Sequence, residues 1–430
     1  MRLTGTVVSD SQTVHEDGAV VTSDDAVVFV GDRETAAERY PDHEVRHFDI
    51  VAPGLVGAHV HSVQSLGRGI ADDEALLDWL FEHVLPMEAA MDEEEMWTAA
   101  ALGYMECLAS GVTTVVDHLS VNHAEQAFEA AGQLGIRGLL GKVLMDRDAP
   151  DLQEDAEAGL AESEALIDQY HGAFDDRIRY AVTPRFAVSC TEDCLRGVRE
   201  LADAHDGVRI HTHASENRDE IETVRQRTGM RNIEWLDEVG LTGPDVTLAH
   251  CVWTDDQERQ ILADTETTVV HCPSSNMKLA SGIAPVGDYL DRGIPVALGN
   301  DGPPCNNTLD PFTEMRQAAL LQKVDILDAT ALPAATVFRM ATEHGARASG
   351  FDVGALRAGR PADVIGLTTD MPRATPIHDP LSHLVFAAHG DDVRFTMVDG
   401  AVVYDDGNFR NVDARQIRRD AQQYADALRG

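Results

Sequence analysis

Between residues 53 and 361 the chain repeats one rhythm. Short, nearly continuous apolar runs at 55–61, 113–118, 138–145, 179–186, 208–214, 246–252, 268–271 and 295–301 follow one another along it. Amphipathic runs lie between them, among them 94–109, 154–169, 192–204, 220–226 and 255–263. A run that is apolar at every position suits a strand buried on both faces, and a period near 3.6 suits a helix laid against it. Eight such units predict an α/β chain whose middle closes as a (β/α)8 (TIM) barrel. Chemistry is then expected on the loops that leave the C-terminal ends of the strands.

The two ends of the chain differ from this middle. Residues 4–8, 26–30 and 44–50, and again 363–367, 393–398 and 401–404, are short strand candidates with Gly and Asp at the breaks. An amphipathic helix is expected at 414–428. Two β-rich ends predict a small composite β-sandwich built from both termini. The expected division is 1–52 and 362–430 for the sandwich with its closing helix, and 53–361 for the barrel.

The charge excludes several partners. With Lys plus Arg at 34 and Asp plus Glu at 74, the formal net charge is −40, which repels phosphate backbones and anionic lipid. No nucleic acid and no membrane are expected as partners, and no apolar run approaches the roughly 18 residues needed to span a bilayer. The opening residues, Met1 to Thr6, lack the apolar stretch of a secretory signal, so a cytoplasmic location is expected. Lysine occurs three times, at 142, 278 and 323, while Asp outnumbers Glu 46 to 28. That balance suggests the cytoplasm of a salt-in halophile, where molar salt screens charge over about 3 Å. The six cysteines show no CxxC spacing and are expected to be reduced, buried thiols.

Candidate chemistry sits at the strand ends. In Pro53-Gly54-Leu55-Val56-Gly57-Ala58-His59-Val60-His61 the strand period of two points His59 and His61 to one side, where two imidazoles can chelate one divalent ion. His211 and His213 share a face in the fifth strand. His213 lies nearer the C-terminal end and is taken as the third ligand, with His211 a hydrogen-bonded histidine lower in the barrel. His250 ends the sixth strand. Asp301 ends the eighth, where a carboxylate is costly to bury without a metal or hydrogen bonds.

The ligand set is therefore His59, His61, His213 and Asp301, around one divalent metal ion, zinc first and iron second. Such an ion lowers the pKa of a bound water to about 7. Asp301 is then expected to take the proton, His250 to orient and polarise, and Glu216 to protonate a ring nitrogen and the leaving amine. A second metal is not expected, because the fourth strand ends Thr183-Pro184-Arg185-Phe186 without the lysine that a bridged pair uses. Lys142 is placed as an ion-pair partner inside the barrel. Asp117 and His118, ending the second strand, are candidates for the pocket wall, and Trp79 and Leu80 for a lid. Ser274, Ser275 and Asn276 are expected to make structural hydrogen bonds.

Taken together, PGL-x4-HxH, HAS-E, AHC, HCPSSNMKLASGIAP and the strand-8 Asp resemble the amidohydrolase superfamily, in its branch of mononuclear deaminases of nitrogen heterocycles. The resemblance spans nearly the whole chain and implies the same barrel and sandwich, a hydrolase of C–N bonds, and a homo-oligomer. Within the branch, residues 75–80, 141–146, 183–190 and 215–220 are similar to guanine deaminases. That similarity implies that Gln64 and Arg185 hold the polar edge of the base, with Phe186 over the ring face and Trp79 from the lid. Residues 300–307 and 314–323 are more similar to methylthioadenosine and S-adenosylhomocysteine deaminases and to s-triazine hydrolases. The expectation is a purine deaminase, with guanine or a related 2-amino-oxo ring first. A 5′-modified adenosine is second and a triazine-like ring third. A non-catalytic scaffold would be expected to have lost ligands, and this chain keeps all four.

Overall fold

A computed structural model describes residues 1–428 except Ala75 and Pro150. Ala75, which opens the 75–80 similarity, and the last two residues of the 362–430 segment lie outside the described residues. Eight parallel strands form the barrel: Leu55–Val60, Val112–His118, Arg137–Gly141, Ile178–Pro184, Arg209–Ala214, Val246–His250, Thr268–His271 and Val296–Leu298. Their residues are buried almost throughout, as the continuous apolar runs require. The eighth strand returns to the first through a parallel bridge between Val60 and Asp301, and Asp301 N donates to the His59 carbonyl at 2.9 Å. Barrel closure thus places Asp301 beside the His59–His61 pair.

The intervening helices begin where the sequence supplies a side-chain acceptor. Asp92 caps Glu93–Ala109 in a reciprocal capping box with Glu95. Thr191 caps Glu192–Ala204, Asn217 caps Arg218–Thr228, and Asp255 caps Asp256–Asp264. These starts fall within a few residues of the predicted runs. After the first strand the chain runs through a 3₁₀ turn, Ser62–Gly67, and then three short consecutive helical pieces from Leu76 to Ala90. This segment covers the C-terminal mouth of the barrel.

Both termini build one mixed eight-stranded sheet, in the order Asn408–Phe409, Ala401–Asp405, Val393–Val398, Val364–Leu367, Val45–Pro53, Arg2–Val8, Val14–Ser23 and Ala26–Asp32. Leu3, Val20, Val51, Val364, Phe395 and Met397 share its core. The strand Val14–Ser23 was not among the expected elements. Its first half is polar and only its second half is buried, so it carries little period-two signal. Arg137, at the start of the third barrel strand, makes two 3.1 Å bonds to Asp363 and one of 2.9 Å to Asp399. This buried cluster ties the sheet to the barrel. The helix Ala414–Leu428 closes against Glu93–Ala109.

Candidate active site

His59, His61 and His213 project into the barrel mouth, and one ring nitrogen from each lies within 4.8 Å of the others. Hydrogen bonds on the far side of each ring fix its tautomer. His61 Nδ1 donates to the His118 carbonyl at 2.7 Å, and His213 Nδ1 donates to the Arg185 carbonyl at 2.7 Å. A carbonyl can only accept, so both Nε2 atoms carry lone pairs. His211 Nδ1 donates to the Thr247 carbonyl at 3.0 Å, which leaves His211 Nε2 an acceptor for His59 Nδ1 at 2.8 Å. His59 Nε2 therefore also presents a lone pair, and it is buried with no partner.

Three lone pairs thus converge, with His61 Nε2 and His213 Nε2 only 3.2 Å apart. Asp301 Oδ1 sits 3.5 Å from His59 Nε2 and 3.4 Å from His61 Nε2. Acceptors facing acceptors in a buried site repel unless a cation lies between them. This donor set fits one divalent metal ion. The position of His211 is that of an orienting group, holding His59 from behind.

The second half of the site is acid–base. Ser275 Oγ donates to Asp301 Oδ2 at 2.6 Å, leaving Oδ1 toward the histidines. His250 Nδ1 lies 2.9 Å from Asn276 Oδ1, while its Nε2 is 3.7 Å from Glu216 Oε2 and 3.8 Å from Asp301 Oδ2. Ser281 Oγ donates to Glu216 Oε1 at 3.0 Å. Burial pushes the Glu216 carboxyl above its ordinary range, against the opposing pull of His250. Burial alone would depress His250, yet Glu216, Asp301 and Asn276 together raise it. Burial would likewise raise Asp301, but His59, His250 and His61 hold it well below the usual carboxylate range. The site thus pairs one carboxyl biased to keep its proton with one biased to lose it.

The site's loops carry some backbone strain. Ser215 (φ 52°), His250 (φ 71°), Cys251 (φ 46°) and Asp301 (φ 62°) all adopt the left-handed conformation without being glycine. Glu220 holds the first of these turns, accepting from Ser215 N at 3.2 Å and Glu216 N at 2.7 Å. Buried beside Glu216, its carboxyl is pushed up to about 7.

Above the polar floor lies a narrow cleft, walled by Leu76, Trp79, Leu80, Phe186 and Leu279. Glu216, His250, Asp301 and Arg185 reach into it. Trp79, Phe186 and Arg185 line this cleft. Gln64 does not. It is fully buried and donates through Nε2 to Glu88 Oε1 at 2.8 Å. Lys142 pairs with Glu154, 2.7 Å from each oxygen. The His118 carbonyl orients His61, so His118 supports a ligand from behind. Ser275 and Asn276 make hydrogen bonds directed at Asp301 and His250.

Glu88, Glu220 and Ser281 were not singled out from the sequence. Glu88 is buried, but nothing in the sequence around it distinguishes it from a glutamate on an exposed helix face. Glu220 had a usable signal, standing four residues after Glu216 on the face of a helix capped by Asn217.

Residues 50–403 match the model of the Amidohydrolase family. A 5′-deoxyadenosine deaminase of Methanothermobacter thermautotrophicus is 42% identical over 382 residues, covering 89% of this chain and 88% of that protein. A 5-methylthioadenosine/S-adenosylhomocysteine deaminase of Haloarcula marismortui is 39% identical over 420 residues, covering 98% and 94%. Among solved structures, an adenosine deaminase from Xanthomonas campestris with bound zinc superposes with a TM-score of 0.93. It is 32% identical, with 100% of this chain and 98% of that one covered. These relatives favour the second of the sequence expectations, a modified adenosine, over guanine. The chain belongs to the amidohydrolase family and is an enzyme that hydrolyses carbon–nitrogen bonds.

Proposed function

We propose that this enzyme is a metal-dependent hydrolytic deaminase of 6-aminopurine nucleosides altered at the 5′ position, such as 5′-deoxyadenosine and 5′-methylthioadenosine. The carrying observation is the pairing of Glu216, a buried carboxyl raised by its surroundings, with Asp301 beside three converging imidazole lone pairs. The relatives deaminating such nucleosides support the choice of ring.

His59, His61, His213 and Asp301 would hold one divalent ion, for which zinc is the first choice. When bound, such an ion supplies a Lewis acid and an acidified water at the floor of the cleft. Phe186 and Trp79 stack on or cap the purine and exclude bulk water. Glu216 Oε2 donates its proton to a ring nitrogen next to the amino-bearing carbon, which draws electron density from that carbon. Asp301 Oδ2 accepts one proton of the attacking water and passes it to the departing amine, and the proton of the added hydroxyl returns to Glu216 as the carbonyl forms. His250 Nε2, between these carboxylates, stabilises the oxygen that adds to the ring. The products are the 6-oxo purine and ammonia.

A guanine-type ring is the second reading, favoured by one observation. Arg185 Nη1 is buried at the cleft wall without a hydrogen-bond partner, and it suits a ring carbonyl. The acid-rich, lysine-poor surface supports work in a salt-rich cytoplasm. Among the described residues no helix is long and apolar enough to cross a membrane.

The test is ammonia release by metal-stripped and zinc-reconstituted protein in molar KCl. The substrates are 5′-deoxyadenosine, methylthioadenosine, S-adenosylhomocysteine, guanine, isoxanthopterin and melamine. Zinc-dependent turnover of the adenosines is expected. Turnover of guanine or isoxanthopterin alone would overturn the substrate, and metal-independent turnover would overturn the mechanism.

A further inference from the structure

We propose that Asp146, Cys190 and Cys194 form a second metal site, structural rather than catalytic, for a thiophilic divalent ion such as zinc. Its donors lie on other elements than the histidine cluster. The inference is independent of which ring the enzyme deaminates.

The three donors meet from two connections of the barrel. Asp146 follows the short strand Val143–Leu144, beyond the third barrel strand. Cys190 and Cys194 stand on either side of Thr191, which caps the helix Glu192–Ala204 after the fourth barrel strand. One oxygen of Asp146 and both sulfurs lie within 4.8 Å of one another. A tetrahedral zinc ion with sulfur and oxygen ligands sets its donors roughly 3.5–4 Å apart, so small side-chain shifts close the site.

Each donor is able to take an ion. Thr191 N donates to Asp146 Oδ1 at 2.7 Å and Thr191 Oγ1 donates to Oδ2, which fixes the carboxylate and leaves a lone pair on each oxygen. Cys190 Sγ donates to the Leu144 carbonyl at 3.3 Å, and Arg185 N donates to the same carbonyl at 3.1 Å. Loss of the thiol proton to a metal therefore leaves that carbonyl with a partner. Both thiols are buried. Contact with Cys190, and then burial, push the Cys194 thiol above its ordinary range, so it stays protonated until a cation replaces the proton.

Charge supplies the approach. A surface cavity at this point is lined by Asp146, Gln153, Glu154, Asp155, Thr191 and Asp193. Glu154 pairs with Lys142, but among the described residues Asp146, Asp155 and Asp193 have no basic partner. Asp146 belongs to both the cavity wall and the donor set, so an entering cation meets the carboxylate first and the buried sulfurs after it. Acidic groups alone would serve any hydrated cation; the two sulfurs select a soft one. The site joins two segments already in contact, since Asp146 N and Arg147 N both donate to the Ser189 carbonyl at 3.1 Å. A bound ion would fasten the loop that carries Arg185 and Phe186.

The experiment counts metal and looks for sulfur ligation in the full chain, kept in molar KCl. Zinc-loaded wild type should retain two zinc ions per chain after gel filtration, and Cys194→Ser and His61→Ala one each. Metal-stripped enzyme is then titrated anaerobically with cobalt(II) chloride. Wild type should develop a sulfur-to-cobalt charge-transfer band in the near ultraviolet, His61→Ala should keep that band, and Cys194→Ser should lose it. Zinc should raise the unfolding midpoint of His61→Ala, and should not raise that of the variant that also carries Cys194→Ser.

One zinc ion per wild-type chain, no sulfur band, or a band that survives Cys194→Ser would overturn the proposal. So would a Cys190–Cys194 disulfide that forms under hydrogen peroxide equally fast with and without zinc, because ligated thiolates are shielded. If Cys194→Ser does not fold, Asp146→Asn replaces it. That variant keeps an acceptor for Thr191 and should keep the band at saturation while weakening cobalt binding at least about tenfold, and unchanged binding would overturn the proposal. None of these outcomes is read from ammonia release, so a failure of the deaminase reading leaves them intact.

Discussion

The floor and the wall of the cleft are built by different rules. On the floor, His59, His61, His213, His250 and Asp301 sit on or just beyond barrel strands, and a hydrogen bond from another element orients each of them. On the wall, Trp79 and Leu80 come from the covering segment, and Phe186 and Arg185 from the end of the fourth strand. There one arginine keeps a donor without a partner. The floor is pre-organised for one chemistry. The wall is mainly apolar, with Arg185 as its charged member.

Four expected outcomes sharpen or break this contrast. The largest concerns the floor. His61→Ala removes one of three converging nitrogens and should cost stoichiometric zinc and at least about a thousandfold in kcat/KM, equally for every substrate. Metal analysis beside ammonia release checks it, and a loss confined to one substrate would break the contrast. Glu216→Gln should then lower kcat by about 10²–10⁴-fold with zinc retained, since it removes a proton donor and not a ligand.

Arg185→Gln probes the wall. It should cost about 10–100-fold in kcat/KM, mainly through KM, and by different factors for 5′-deoxyadenosine and guanine. Uniform loss would move Arg185 to the floor.

The smallest effect is on stability. Glu314 lies under the short helix Pro273–Lys278 that carries Ser275, accepting from Ser274 N at 3.2 Å and Asn306 Nδ2 at 2.9 Å. Burial pushes its carboxyl up to about 7. The folded state therefore holds this proton more tightly than the unfolded chain, whose glutamate titrates near 4.3. Its contribution is fully present below about pH 4 and fades as pH rises through about 7. Glu314→Gln should flatten that part of the stability profile measured by denaturant unfolding at several pH values. An unchanged slope would remove Glu314 from the account.

The floor was the more legible half. Strand period two placed His59 with His61, and an aspartate ending an apolar run carried its own burial penalty as a signal. Barrel closure then brought Asp301 to the histidines, as eight strands require. The wall was harder to read because its partnerships cross between loops. The Gln64–Glu88 bond spans 24 residues and the Glu88–Arg185 pair 97, with no fixed period linking them. Gln64 accordingly reads as a substrate contact in the sequence and packs on Glu88 in the structure. Sequence similarity in segments that reach the wall pointed to guanine, whereas relatives 39% and 42% identical over most of the chain are adenosine-type deaminases. A wall that varies independently of the floor would produce that mixture.

The most direct test of the account is a one-pot competition. Zinc-loaded enzyme in molar KCl receives equal 5′-deoxyadenosine and guanine, and the two deaminated products are quantified as they form. The 5′-deoxyinosine product should accumulate first, with kcat/KM favouring the nucleoside by at least about tenfold. Faster conversion of guanine to xanthine would contradict it and hand the wall to the 2-amino-oxo rings.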